Sequence, residues 1–143
     1  SEKFFCSQEK KEEVLNLVDL DKSVLKKFPS QLSGGQIQRV VIAIALSRDI
    51  KLLLLDEPTT ALDEKNKNNI IELINSIKER LNILILFVTH DISSIKDIWK
   101  DITIRKNGEI GEQGLTNDML STPKEDYTKR LINSTFRNKT FRT

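Results

Sequence analysis

Leu52-Leu53-Leu54-Leu55-Asp56-Glu57-Pro58 decides the reading of this chain. An unbroken run of leucine has no wet face. It predicts a strand over 51–56 covered on both faces, as in a parallel sheet. The run ends in Asp56 and Glu57, and Pro58 stops it at once. The carboxyl ends of parallel strands are where α/β sheets bind ligands. Consecutive side chains on a strand diverge, so the acids can do different work. One can hold Mg2+, usually through water. The other can orient an attacking water or take its proton. A solvated acidic pair at a strand end is the alternative reading.

Upstream, Leu32-Ser33-Gly34-Gly35-Gln36 opens a helix over 33–48. Ser33 and Gln36 have the spacing of a capping box. Ile37, Val40, Val41, Ile44 and Ala45 then recur at helical spacing. A helix start offers unpaired amides and the positive end of the macrodipole. Gly34 and Gly35 place no side chain in front of those amides, and Ser33 adds a hydroxyl, so the tip suits a phosphate. A glycine turn with a serine cap explains the same residues equally well.

Downstream, Asp63 is the N-cap of an amphipathic helix over 64–81, with Ile70, Leu73, Ile74, Ile77 and Leu81 inward. A second buried strand is expected over 83–89. Strand, helix and strand in this order make the crossover unit of an α/β sheet. His90 is the only histidine. It follows the second strand, at the sheet edge of Asp56 if the strands are parallel, where a neutral imidazole could donate to a terminal phosphate. A lone histidine is more often a surface or capping residue.

The remainder reads as framework. Helical segments are expected over 9–20 and 24–28, with Pro29 ending the latter. Another helix starts at 91. Strands over 101–105 and 109–113 flank Asn107-Gly108, a hairpin signal. Helices over 116–120 and 126–133 follow. Gly108, Gly111 and Gly114 are turn and bulge glycines that do not match a dinucleotide fingerprint. Trp99 and Tyr127 are packing residues, since an aromatic platform needs more than 6% aromatic content.

The composition of the 143 residues is globular, with 38% hydrophobic and 31% charged residues. A net charge of +2 argues against nucleic acid as a partner. Cys6 is the one cysteine, which excludes an internal disulfide and a zinc cluster and fits a reducing compartment. The longest apolar runs fall well short of the roughly 18 residues of a membrane span, so the chain is expected to be soluble. The tail from residue 132 carries Arg137, Lys139 and Arg142 and no acid, and reads as a solvated end, with contact to a membrane surface as the alternative.

Taken together, these segments resemble the nucleotide-binding domain of ATP-binding cassette (ABC) transporters. Leu32 to Gln36 is similar to the family signature, and Leu52 to Glu57 to Walker B with its catalytic glutamate. Ala61-Leu62-Asp63 is similar to the D-loop, and His90 to the switch histidine. The resemblance runs from about residue 12 to 132. It implies an α/β fold, the C-terminal part of a P-loop NTPase cassette, with a mainly parallel buried sheet flanked by helices and part of the helical subdomain. The implied division is 1–48 as the end of the helical subdomain with the signature helix, 49–120 as ATPase core, and 121–143 as a C-terminal extension. Asp56-Glu57-Pro58-Thr59-Thr60-Ala61-Leu62-Asp63, Gln38-Arg39-Val40, and Thr122-Pro123 followed by Tyr127-Thr128-Lys129-Arg130-Leu131 resemble the dipeptide, oligopeptide and nickel importer branch, with Glu125-Asp126 in place of the His-Pro usual before that tyrosine.

The resemblance also implies roles. Asp56 would serve Mg2+, and Glu57 and His90 would be catalytic toward the ATP of their own subunit. Ser33, Gly34, Gly35 and Gln36 would serve the ATP of a second, head-to-tail ATPase subunit, with Asp63 communicating across that interface. Transmembrane permease subunits would be the other partners, at the cytoplasmic face of the inner membrane. Gly-x-x-x-x-Gly-Lys-[Ser/Thr] is nowhere in the sequence, and no glycine precedes Gly34. The chain is therefore expected to be the C-terminal part of a longer subunit, unable by itself to bind ATP tightly or hydrolyse it. Open strand edges and uncovered apolar faces predict a homodimer or domain-swapped pair. A non-transport ABC ATPase and a non-catalytic remnant that binds a partner are the alternatives.

Overall fold

In the computed structural model, which describes residues 7–92, 96 and 98–140 (136–140 by backbone alone), the leucine run forms strand β1, Leu52–Asp56. It pairs in parallel with β2, Leu84–Val88, in the register Leu52↔Leu84 through Leu54↔Leu86 to Asp56↔Val88. Between them runs α3, Glu64–Arg80, with Ile70, Ile71, Leu73, Ile74 and Ile77 buried. Before β1 come α1, Gln8–Leu17, and α2, Gly34–Leu46. The expected 24–28 segment is a 3-10 turn, Lys22–Lys26, and Pro29 opens a second one, Pro29–Gln31. Proline fits the first helical position because its missing N–H would have no partner there.

The expectation that both strands are covered on both faces is corrected. Leu53 and Leu55 are 3% and 6% exposed, whereas Leu52 and Leu54 are 54% and 60% exposed. In β2, Leu84 and Leu86 are 73% and 53% exposed. By register these residues share one face with Asp56 and Val88. The chain supplies a helical layer for one face of the sheet, so an all-apolar strand takes an alternating burial pattern. The same correction applies to α2. Ile37, Val41 and Ile44 lie exposed, and the inward side is Gly35, Ile42, Ala43 and Leu46. A helix with apolar residues on more than one side does not reveal by its sequence which side the fold covers.

The chain divides into two compact units, Ser1–Thr89 and His90–Thr143. In the second, β3, Asp101–Lys106, and β4, Glu109–Leu115, form an antiparallel hairpin. Asn107 and Gly108 both take positive φ, 51° and 86°, as a two-residue primed turn requires. The register shifts between Ile104 and Arg105, which pair with Glu112 and Ile110, so Gly111 is the bulge residue. Helix α4, Thr116–Ser121, and helix α5, Asp126–Thr140, follow. No glycine or proline interrupts 126–143, and α5 runs on past the expected 133. Ile92, Ile104, Met119 and Ile132 form the core of this unit, with Tyr127 and Leu131 packed against it. The backbone amides of Lys124 and Glu125 donate to the Glu112 carboxylate at 2.9 and 3.1 Å, which pins the start of α5 to β4. The helix expected from 91 lies in part outside the described residues, as do the tail side chains beyond 135.

Candidate functional site

Asp56 ends β1 with its carboxylate exposed on the open face of the sheet. Glu57 then leaves the strand with φ 48°, left-handed backbone that a residue with a Cβ adopts at a cost of about 1–3 kcal/mol. Its N–H donates to the Val88 carbonyl at 2.9 Å, so the turn stays tied to the end of β2. Pro58 and Thr59 are buried beneath it. Thr60 closes the turn: its N–H donates to the Glu57 carbonyl at 3.3 Å, and its hydroxyl donates to Glu57 Oε2 at 2.6 Å. Two adjacent acids thus point differently, Asp56 outward from the strand and Glu57 into the turn.

The capping box of α2 is formed. Ser33 N donates to Gln36 Oε1 at 3.0 Å, and Gln36 N donates to Ser33 Oγ at 3.2 Å. These two bonds use four polar groups of the tip internally and leave the Gly34 and Gly35 amides at the positive end of the helix. Gly34 is exposed and Gly35 is buried. A Cβ on Gly35 would lie 2.9 Å from Asn66 Oδ1, and one on Gly34 would lie 3.2 Å from Leu62 Cδ2. The glycines therefore let α2 approach the start of α3, a packing demand that stands beside any ligand role.

Asp63 caps α3. The Asn66 N–H donates to Asp63 Oδ1 at 2.9 Å and the Asn66 side-chain amide to Oδ2 at 2.6 Å. The backbone bond from Asn66, and then its side-chain bond, hold the Asp63 carboxyl below the usual carboxylate value. His90 is exposed at the start of the second unit. No cluster of three or more metal-ligating side chains exists among the described residues. Asp56 by itself fits a hard cation held mostly through water and phosphate oxygens, which is how Mg2+ is ordinarily bound.

A family model described as ABC transporter matches residues 6–60. The chain is 45% identical over 123 residues to the methionine import ATP-binding protein MetN of Lactococcus lactis subsp. lactis (strain IL1403), covering 86% of this chain and 33% of that protein. It is 42% identical over 120 residues to the protein of the same name from Bacillus subtilis (strain 168), covering 84% and 35%. A solved dimeric bacterial ABC transporter cassette superposes with a TM-score of 0.64 at 34% identity, covering 76% of this chain and 46% of that one. The fold is that of an ABC cassette.

The chain spans about a third of the length of these curated relatives. The segment that resembles the family signature is the capped tip of α2, and the segment that resembles Walker B is β1. The peptide or nickel branch is not supported, since these relatives carry methionine-import names. Two of the residues that suggested that branch, Tyr127 and Thr128, have a packing role. Tyr127 packs against the core of the second unit and Thr128 is buried, so the Tyr-Thr pair anchors α5. Sequence reasoning missed Thr60 and Asn66. The signal was a hydroxyl or amide three residues after Glu57 and after Asp63, the spacing at which a side chain folds back. No described helix is long and apolar enough to cross a membrane.

Proposed function

We propose that this chain belongs to the ATP-binding and ATP-hydrolysing subunit of an ABC importer that takes up methionine. The observation that carries the proposal is the strand-end geometry of Asp56 and Glu57 in a chain 45% identical to a methionine import ATP-binding protein. In this reading Asp56 helps hold Mg2+, which neutralises charge on the β- and γ-phosphates when bound. Glu57 orients the attacking water and accepts its proton. His90 donates to the terminal phosphate. The tip at Ser33, Gly34, Gly35 and Gln36 faces the nucleotide of a second ATPase subunit, and Asp63 lies at that interface. A membrane permease carries the solute. Methionine replaces the peptide and nickel substrates because the named relatives import methionine.

The test uses the complete subunit with its permease in liposomes. ATP-dependent uptake of labelled methionine is expected, and uptake of a dipeptide or of nickel is not. Glu57→Gln is expected to lower turnover by about a hundredfold or more while nucleotide binding persists. Undiminished hydrolysis in that variant removes Glu57 from the role of base.

A further inference from the structure

We propose that Thr60 is a positioning residue that sets the orientation of the Glu57 carboxylate and ties it to the segment Thr60-Ala61-Leu62-Asp63. This rests on the reading of Glu57 given above. A glutamate at a strand end has several rotatable bonds, and a base must be held within hydrogen-bond reach of one water. The backbone of Glu57 is held from two sides, by its N–H on the Val88 carbonyl at 2.9 Å and by the Thr60 N–H on its own carbonyl at 3.3 Å. These bonds, with the left-handed φ of 48°, fix where the side chain starts. The Thr60 hydroxyl then fixes where it ends, at 2.6 Å from Oε2. An O–H donor to a carboxylate at that length is a charge-assisted bond, among the stronger hydrogen bonds in proteins.

The arrangement has a consequence for coupling. Thr60 opens the segment that ends in Asp63, the N-cap of α3, whose carboxylate is engaged by Asn66. The bond from Thr60 Oγ1 to Glu57 Oε2 links that segment to the Glu57 side chain. A displacement of 60–63, such as pairing with a second subunit would impose, changes the donor available to Oε2 and so the aim of the carboxylate. The hydroxyl moves no proton and forms no covalent bond; it acts through Glu57 alone.

The experiment compares Thr60→Val, Thr60→Ser and Glu57→Gln in the complete subunit assembled with its permease, with Mg-ATP as substrate. Thr60→Val keeps the shape and loses the donor. It is expected to lower kcat about tenfold, the scale of one hydrogen bond to a charged group, with nucleotide affinity within about twofold. Thr60→Ser restores kcat. In a Glu57→Gln background Thr60→Val causes no further loss, because the two act as one unit. Wild-type kcat in Thr60→Val, no rescue by serine, or an undiminished further loss in the Glu57→Gln background each overturn the inference. If Glu57→Gln itself keeps full turnover, the base assignment and this inference fail together. If Glu57→Gln is inactive and Thr60→Val is not, only the positioning role fails.

Discussion

Gly34 and Gly35 stand side by side in the same string and have different constraints. Gly35 is buried, and a Cβ there meets Asn66 Oδ1 at 2.9 Å. That oxygen cannot swing away freely, because the other arm of the amide donates to Asp63 at 2.6 Å. At Gly34 the nearest atom is the flexible end of Leu62, at 3.2 Å. Alanine also gains helix propensity at both positions. Gly35→Ala is therefore expected to lower unfolding free energy by about 1 kcal/mol or more, and Gly34→Ala to leave it near neutral or slightly raised, in paired denaturant titrations. In the complete subunit Gly34→Ala is expected to slow ATP hydrolysis without unfolding, as a Cβ in front of the helix amides blocks an anion. The capping box at Ser33 and Gln36 was legible in the sequence because it needs only residue type and spacing. The abutment of Gly35 on Asn66 was not, because it depends on how two helices cross.

The helices carry their own electrostatic start signals. The Asp63 carboxyl lies below the usual carboxylate value, first because of the Asn66 backbone amide and then its side chain. The charged form is thus favoured by folding. The stability it contributes is present above the ordinary value of about 3.9 and is lost as pH falls through the lower folded value. The melting-temperature gap between wild type and Asp63→Asn is expected to be largest near neutrality and to close below about pH 4. A gap independent of pH would show that the cap acts without its charge. Glu112 works similarly between elements. The Lys124 amide is the largest cause of its depressed carboxyl, and the Glu125 amide adds to it. Glu112→Ala is expected to speed amide hydrogen exchange at Lys124 and Glu125, with little change in the β3–β4 hairpin. The hairpin itself was readable from Asn107-Gly108, since both residues tolerate the left-handed backbone that the turn requires.

At the level of the whole molecule, the open sheet face dominates. Leu52, Leu54, Leu84, Leu86 and Val88 line it, and Ile37, Val41 and Ile44 form a second exposed stripe on α2. Contiguous apolar surface of this kind drives association. The 143-residue chain alone is expected to self-associate as concentration rises in sedimentation velocity runs. Leu54→Glu with Leu86→Lys, register partners on that face, should shift it toward monomer. A wild-type chain that stays monomeric at high concentration would refute this. The sequence by itself determined the order of elements, the parallel crossover, the helix caps, the hairpin turn and the strand-end acids. Each is set by period, spacing or a local backbone preference, all of which a linear string records. Only the tertiary structure decided which faces of β1 and α2 are covered, that Gly35 makes room for Asn66, and that the Thr60 hydroxyl reaches Glu57. A run of four leucines and a helix with apolar residues on more than one side give the sequence no preferred face. Which side becomes the core depends on the layers packed against them, and the aim of a carboxylate depends on a backbone turn held by a neighbouring strand.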